Sequence, residues 1–363
     1  MINFTVGPVQ MDEETREIGH NQIPYFRTPE FSQITKESEQ LLCKLFDAPE
    51  NSRVVFLTGS GTASMEASVM NFFTKEDKIL VVNGGSFGHR FKELCEVHEL
   101  DHEEIKLEPG KGLSEDTLAK YNGKGFTGFL VQLCETSTGV KYDIEMIGNF
   151  CKKNNIFLVV DCISGFLADK FSMKEWNVNV AITGSQKALA LPPSMSFICM
   201  DNKAQARCEK NADKVHSIYF NLADYLKNGE RGQTPFTPAV GTMLQLNAKL
   251  KSIDKNGGIS AQNKLIAERA SYFRNAINSL NLKIFTESNS LSNCVTALTP
   301  AKDGVSAYHI FELVKEEFGI WLCPNGGDLK DKVIRVGHIG DISQKEVDLL
   351  VSALKTLQER GEI

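Results

Sequence analysis

Five short apolar segments lie between residues 50 and 200. Four of them end at a glycine or a polar residue, and most are separated by helix-like stretches. The segments lie at 52–60, 78–85, 125–133, 155–161 and 178–185, and a helix-like stretch from about Phe91 to His98 follows the second of them. Because they do not alternate polar and apolar residues, they predict strands of a mostly parallel sheet that helices cover on both faces. Ligands of such sheets bind at the carboxyl ends of the strands. There the sequence places Ser60, Asn83, Glu135, Asp161 and Ser185.

The residues after about 245 follow a different pattern. Amphipathic helical segments alternate with shorter apolar segments, at 263–280, 293–299, 307–319 and 332–339. This arrangement predicts a second, smaller α+β domain. We therefore expect a large domain at 1–245 and a small C-terminal domain at 246–363, with the N-terminal segment contributing to the ligand site.

The last helix of the chain is signalled at both ends. Ser343 and Glu346 have the spacing of a capping box, and Gly361 is placed to end the helix. Between these signals, four apolar residues fall on one helical face, namely Val347, Leu350, Leu354 and Leu357. The pattern predicts one amphipathic helix that closes the small domain.

The composition of the 363 residues argues against several classes of protein. Lysine and arginine total 40 against 46 acidic residues, and the net charge of −6 gives no sign of a nucleic-acid surface. No apolar run reaches the roughly 20 residues that span a bilayer, and the first residues lack the pattern of a secretion signal. Nine cysteines without CxxC spacing indicate reduced thiols, so we expect a cytoplasmic protein. The seven histidines show no zinc-ligand spacing with them, and no metal site is predicted.

Two charged residues at strand ends indicate chemistry. Lys187 stands just past an apolar strand in "AITGSQKALALPPS", with few other charges nearby. A lysine amine attacks a carbonyl only when it is neutral, which such a site favours, although a lysine at a sheet edge is the plainer interpretation. Asp161 ends "FLVVD", where a carboxylate is either a cap or ion-pair partner or the anion that pairs with a protonated ring nitrogen. Pyridoxal phosphate (PLP) requires such an anion.

Small residues at a helix start suggest a phosphate site. "TGSGTAS" at 58–64 combines glycines with the hydroxyls of Ser60 and Thr62, and exposed N–H groups at a helix N-terminus bind phosphate. The segment lacks both standard nucleotide fingerprints, which favours PLP over a nucleotide. Phe87 lies among glycines in "NGGSFGHR", either as core or as a ring stacked on a cofactor. The hydroxyls of "CETSTG" at 134–139 fit a turn as well as a site.

These motifs, in this order, resemble the class V aminotransferases, which are fold-type I PLP enzymes. The resemblance runs from "TVGP" at 5–8 to "IRVGHIG" at 334–340 and rests on "TGSGTASMEA", "NGGSFGHR", "ETSTG", "VVDCIS" and "GSQKA". It is strongest to the branch that contains the alanine/serine–glyoxylate and 2-aminoethylphosphonate–pyruvate transaminases. The resemblance implies that Lys187 holds PLP as a Schiff base and that Asp161 pairs with the pyridine nitrogen.

The resemblance also implies roles for other residues around the cofactor. Ser60, Gly61 and Thr62 would hold the phosphate with help from Gln186. Phe87 would stack on one face of the ring and Ile163 would cover the other, while Thr136 would bond near the phenolic oxygen. Many relatives have tryptophan or histidine at the stacking position, so Phe87 keeps the ring but not the polar group.

The breaker-rich loop at 226–241 matches a segment that crosses to a neighbouring subunit in this family. Within it, Thr234 and Thr237 would donate hydrogen bonds to the phosphate of that subunit, although some relatives have tyrosine where Thr234 stands. A homodimer with shared active sites follows from this likeness.

The resemblance further implies a ping-pong transamination between a small amine donor and a 2-oxo acid. Arg335 would bind the substrate carboxylate, since a guanidinium matches a carboxylate bidentately, and Gly7 in "TVGP" would lend backbone. The leading expectation is 2-aminoethylphosphonate with pyruvate, whose doubly charged head needs a second cation, with Arg27, Arg90 and Arg231 as candidates. The alternative is alanine or serine with glyoxylate or pyruvate.

Two other classes share the scaffold. A cysteine desulfurase would have histidine before the lysine, where this chain has Gln186, and a mobile nucleophilic cysteine, for which Cys323 is the candidate. A non-enzymatic regulator is disfavoured, because the lysine, the aspartate and the phosphate site are all present.

Overall fold

A computed structural model describes all 363 residues of the chain. The strands are β1 (Ile2–Asn3), β2 (Arg53–Thr58), β3 (Lys78–Asn83), β4 (Asp101–Lys106), β5 (Gly128–Gln132), β6 (Cys134–Glu135), β7 (Val140–Lys141), β8 (Phe157–Asp161), β9 (Val180–Gly184), β10 (Met195–Met200), β11 (Leu282–Ile284), β12 (Val295–Pro300), β13 (Ile320–Trp321), β14 (Cys323–Pro324) and β15 (Ile334–Gly337). The α-helices are α1 (Glu13–Gly19), α2 (Pro29–Leu45), α3 (Gly61–Phe72), α4 (Ser86–Val97), α5 (Glu115–Ala119), α6 (Ile144–Asn154), α7 (Asn202–Asn211), α8 (Leu222–Gly229), α9 (Val240–Lys255), α10 (Gly258–Ala276), α11 (Ala307–Phe318) and α12 (Gln344–Glu359).

The larger sheet has seven strands in the order β2-β10-β9-β8-β5-β3-β4. Strand β10 runs antiparallel to both of its neighbours, and the remaining pairs are parallel. The α/β class and the mostly parallel, helix-covered sheet are thereby confirmed. All strands except β10 point the same way, so their carboxyl ends lie along one edge of the sheet.

Apolar side chains cover both faces of this sheet. Leu130 of β5 packs in a cluster with residues of α3, α4, α7 and α8, whereas its neighbour Val131 packs in another with residues of α2, α6 and α9. Successive side chains of a strand point to opposite faces, and here both faces are apolar. This double burial explains the non-alternating apolar segments of the sequence.

Three features of the sheet differ from the sequence prediction. Strand β4 was not predicted because its sequence, DHEEIK, belongs to a polar edge strand. Strand β10 was not predicted either, and it is the antiparallel member. Helix α4 begins at Ser86, five residues before the predicted start near Phe91, so Phe87 lies in its first turn.

The C-terminal part forms a second, antiparallel sheet of four strands in the order β11-β12-β15-β14. Helices α10, α11 and α12 pack on it around a separate apolar core. The capping box of Ser343 and Glu346 is present at α12, and the four predicted apolar residues of that helix are buried. The small α+β unit is confirmed as part of the fold.

The N-terminus joins this second unit. Strand β1 pairs in parallel with β13, with Ile2 opposite Ile320, and Phe4 lies in the second core. Helix α9 continues across residue 245, and its Leu246 and Ile253 lie in the core of the large sheet. We propose that the two domains divide between α9 and α10 and that the first residues belong with the small domain.

No helix combines the length and the apolar character that crossing a membrane would require. The chain contains no group of three potential metal-binding side chains, and all nine cysteines are free thiols.

Candidate active site

The site lies where the edge of the large sheet meets the N-terminal segment and the small domain. Asp161 ends β8, between β5 and β9, with Gln132 and Ile182 as its register partners. Lys187 follows β9 after a short turn. From the small domain, Arg335 on β15 donates a hydrogen bond to the carbonyl of Thr136, so residues distant in sequence converge here.

Lys187 is buried, and its Nζ donates a hydrogen bond of 2.7 Å to the carbonyl oxygen of Val6. Burial lowers the pKa of the lysine, because the charged form loses its hydration. The close approach of the N-terminal segment requires Gly7, since a Cβ there would lie 2.6 Å from Cδ and 2.9 Å from Nζ of Lys187. The arrangement favours the neutral amine that attack on a carbonyl needs.

Asp161 is also buried, and its Oδ1 accepts a hydrogen bond of 2.8 Å from the backbone N–H of Ile163. Burial raises the pKa of Asp161 to about 7, and the negative charge of Glu135 adds to the rise, whereas Lys187 and Arg90 oppose it. A buried carboxyl of this kind is held ionised by a cation placed against it. A protonated ring nitrogen would supply that cation.

The first turn of α3 fits a phosphate. Ser60 precedes the helix without capping it through its side chain and is exposed. A Cβ on Gly61 would lie 2.2 Å from Cδ1 of Ile163, so only glycine leaves this space open. Thr62 Oγ1 accepts a hydrogen bond of 3.2 Å from Arg90. Nearby in the predicted phosphate set, the buried Oε1 of Gln186 has no hydrogen-bond partner. Unsatisfied N–H groups at a helix N-terminus are an anion site.

Phe87 and Ile163 are the side chains predicted to enclose the cofactor ring. Phe87 is half-buried in the first turn of α4, with the guanidinium carbon of Arg90 at 5.1 Å from its ring centre. Ile163 is buried beside Gly61. Arg90 thus links the first turns of α3 and α4.

Thr136 is buried, and its hydroxyl shares a short hydrogen bond with Ser164. Ser164 was not among the predicted site residues, although it stands three positions after Asp161 in the same motif. Glu135, which the sequence placed at a strand end but to which no role was assigned, is fully buried and accepts hydrogen bonds from the start of α4. Both amide atoms of Gln132 are buried without a partner beside Asp161, and no local sequence signal indicated this.

The arginines predicted to bind the substrate lie in different environments. Arg335 donates to the carbonyl oxygens of Pro324 at 2.6 Å and Thr136 at 3.3 Å, and its Nε is buried without a partner. Arg27 is exposed and approaches the 232–240 loop, over the ring of Phe26. Arg231 is exposed and bonds to Asn228. Neither Arg27 nor Arg231 is held by a contact with the residues around Arg335.

The loop at 232–240 lies close to the end of β2, where Ala239 donates to Thr58. Thr234 is buried, and its hydroxyl donates 2.6 Å to the carbonyl of Phe236, whose ring stacks on Tyr219 at 5.1 Å. Thr237 is exposed and has no hydrogen bond within the chain. Of the two loop threonines, only Thr237 presents a free hydroxyl at the surface.

Comparison with known proteins agrees with this geometry. The family described as Aminotransferase class-V matches residues 16–327. An uncharacterized aminotransferase of Helicobacter pylori is 31% identical over 98% of this chain and 93% of its own length. The L-aspartate–glyoxylate aminotransferase of Paracoccus denitrificans and the serine–glyoxylate aminotransferase of Methylorubrum extorquens are each 27% identical over 94% of this chain, covering 86% and 87% of their own lengths.

A solved structure of similar shape is the aspartate aminotransferase of subgroup IV from Thermus thermophilus. It superposes with a TM-score of 0.90 at 25% identity, over 99% of each chain. The buried lysine, the buried aspartate and the open first turn of α3 fit PLP, the cofactor that the family implies. The chain therefore belongs to the class V aminotransferase family and is a PLP-dependent aminotransferase.

Proposed function

We propose that this aminotransferase transfers the amino group of a small amino acid, with alanine and serine as the first candidates, to glyoxylate. The observation that supports this assignment is geometric: Arg335 lies beside the Thr136 backbone with its Nε buried and without a partner, whereas Arg27 and Arg231 are exposed and bonded elsewhere. Glyoxylate carries one carboxylate, which one guanidinium can bind bidentately. Relatives that cover most of the chain use glyoxylate with aspartate or serine, as their names state.

In this proposal, the cofactor lies between the two domains with its phosphate at the first turn of α3. When bound, PLP supplies an electron sink for the carbon that loses its proton. Asp161 would keep the ring nitrogen protonated, and Phe87 and Ile163 would hold the ring from its two faces. Lys187 Nζ, whose pKa is lowered by burial, would remove the proton from the donor carbon and return it to the cofactor.

The carboxylate of either substrate would replace backbone oxygens at Arg335. At present two of its nitrogens donate to the carbonyls of Thr136 and Pro324, and Nε has no partner. The guanidinium is thus already oriented by neighbouring backbone, so less side-chain freedom is lost when a carboxylate binds.

The leading expectation from sequence, 2-aminoethylphosphonate, is less well supported. Its phosphonate would need a second cation near Arg335. Arg27 and Arg231 are exposed and held by contacts with the 232–240 loop and Asn228, and Arg90 is held between Thr62 and Phe87. The relatives also favour the alternative with glyoxylate.

A desulfurase activity is disfavoured by the position of Cys323. This residue belongs to β14 and is paired in register with Arg335 on β15. A strand residue in a paired sheet lacks the mobility that a thiol nucleophile on a loop has.

The donor is tested by half-reactions. The holoenzyme is mixed separately with alanine, serine, aspartate and 2-aminoethylphosphonate, and the loss of the visible cofactor absorption is followed by stopped flow. We expect alanine or serine to react fastest and glyoxylate to restore the band. Fastest reaction with 2-aminoethylphosphonate, and restoration by pyruvate but not by glyoxylate, would contradict the proposal.

We also propose a homodimer in which Thr237 reaches the phosphate of the partner subunit. Support comes from the exposed Thr237 hydroxyl and from the large apolar side chains of Ile23, Tyr25 and Ile218, which are 54%, 68% and 80% exposed. Ile23 and Tyr25 are two positions apart in the chain, and exposed large apolar side chains that lie together are typical of an interface. Analytical ultracentrifugation should give twice the chain mass, and a monomer with full activity would refute the proposal.

A further inference from the structure

Helix α4 lacks a cap from its own sequence. Its N-cap residue is Gly85, which has no side chain to accept a hydrogen bond. The backbone N–H groups of Phe87 and Gly88 instead donate to one oxygen of Glu135, Oε2, at 3.0 Å each. The cap of this helix therefore comes from a residue 47–48 positions later in the chain.

The second oxygen of Glu135 is also satisfied. Oε1 accepts from the backbone N–H of Ser137 at 3.1 Å and from its hydroxyl at 2.5 Å. The same Ser137 oxygen accepts from the backbone N–H of Ser86 at 3.1 Å. Glu135 is fully buried, so these donors replace the water that its carboxylate has lost.

The backbone around Phe87 is shaped to this carboxylate. A Cβ on Gly85 would lie 2.4 Å from the hydroxyl oxygen of Ser137 and 2.6 Å from Cδ of Glu135. A Cβ on Gly88 would lie 2.4 Å from the carbonyl oxygen of Val82 at the end of β3. The segments "NGGSFGHR" and "CETSTG", which are separate in sequence, form one unit with little freedom.

We propose that Glu135 is a positioning residue that fixes the first turn of α4 and, through it, the angle of the Phe87 ring against the bound cofactor. The guanidinium of Arg90 lies over that ring, with its carbon 5.1 Å from the ring centre, and donates a hydrogen bond to Thr62. Glu135 thus holds the backbone of Phe87, and Arg90 covers a face of its ring. This role rests on the proposed place of PLP between Phe87 and Ile163, and it does not depend on which amino acid is the donor.

The test is a double-mutant cycle read by PLP affinity and by the circular dichroism of the bound cofactor. Glu135→Gln is nearly isosteric, but its NH2 group would face N–H donors. We expect it to weaken PLP binding by about tenfold, the scale of one charge-assisted hydrogen bond, and to reduce the visible dichroism. In the Phe87→Leu background, the same change should weaken binding by less than about twofold, because the ring is no longer there to be positioned.

A matched control separates positioning from ordinary capping. Asp143 caps α6 through its side chain and is exposed. Asp143→Ala removes this cap and should lower the melting temperature without changing PLP affinity or dichroism. If Glu135→Gln folds poorly, Ser137→Ala removes hydroxyl bonds to Glu135 and Ser86 without burying a new group and should weaken PLP by about threefold.

Effects of Glu135→Gln that are the same with and without Phe87 would overturn the inference, as would unchanged PLP affinity and dichroism in both Glu135→Gln and Ser137→Ala. A wild-type chain that binds no PLP would instead refute the proposed function, and the inference with it.

Discussion

Helices α3 and α4 begin at the same edge of the large sheet, each after a glycine-containing turn, but their first turns are used differently. The first turn of α3 has no side-chain cap, and Ser60 at its N-cap is exposed. The first turn of α4 is capped by the buried carboxylate of Glu135. A helix N-terminus attracts an anion in either case. The first turn of α3 is therefore open for a ligand, whereas the first turn of α4 is satisfied by Glu135, which we propose holds the Phe87 ring in place.

We expect the largest effect at Lys187, the lysine that we propose holds the cofactor between these two helix starts. Lys187→Ala should reduce turnover by about ten-thousandfold, because the amine that moves the proton is removed. The visible band of the bound cofactor should be lost, while a weaker association of PLP through the first turn of α3 should remain detectable by equilibrium dialysis. A variant that kept both the band and its turnover would show that another residue holds the cofactor.

The next effect concerns Asp161 and depends on pH. In the cofactor-free chain, burial raises the pKa of this carboxyl to about 7, from an ordinary value of about 4. The protonated carboxyl is tolerated in the core, whereas the ionised one is not. The free energy of unfolding therefore has its full value, as far as Asp161 is concerned, below pH ~4 and falls as the pH rises through about 7. Asp161→Asn removes this loss and keeps an oxygen for the N–H of Ile163.

Urea unfolding of the two cofactor-free proteins should show nearly equal stability at pH 4. At pH 8 the Asn variant should be more stable, by up to roughly 4 kcal/mol. A difference that is constant with pH, or one that grows toward acid, would contradict the buried state of Asp161.

The smallest effect compares the two helix starts directly. Ser60 and Ser86 are both exposed serines at the start of their helices, α3 and α4. Ser60→Ala should weaken PLP binding by about fivefold through the loss of one hydrogen bond to phosphate, whereas Ser86→Ala should leave it unchanged. Fluorescence titration with PLP measures both. Equal effects of the two changes would remove the distinction between the open and the satisfied helix start.

The sequence predicted the parts of this fold that depend on local pattern. The strands ending at Thr58, Asp161 and Gly184 were found because apolar runs buried on both faces are conspicuous. The cap of α12 was found because Ser343 and Glu346 lie within one turn of each other. By contrast, β4 was missed because its residues are polar. Strand β10 was not predicted although its sequence, MSFICM, is as apolar as those of the predicted strands, and its antiparallel direction is set by the tertiary fold.

The start of α4 shows why part of the site could not be predicted. Its capping residue, Glu135, is 48 positions away from Phe87, and only the tertiary fold brings the two together. The same holds for the hydrogen bond between Thr136 and Ser164 and for the buried amide of Gln132. Residue types at strand ends predicted the location of the candidate site, but the contacts among them depend on the fold.

We infer that Lys187 holds the cofactor, and borohydride reduction followed by peptide mass spectrometry shows which lysine does. Reduction of the PLP-loaded enzyme fixes the cofactor to the lysine that carries it. We predict one phosphopyridoxyl group per chain, on the peptide that contains Lys187. A label on another lysine, or no label in a chain that binds PLP, would show that Lys187 does not carry the cofactor.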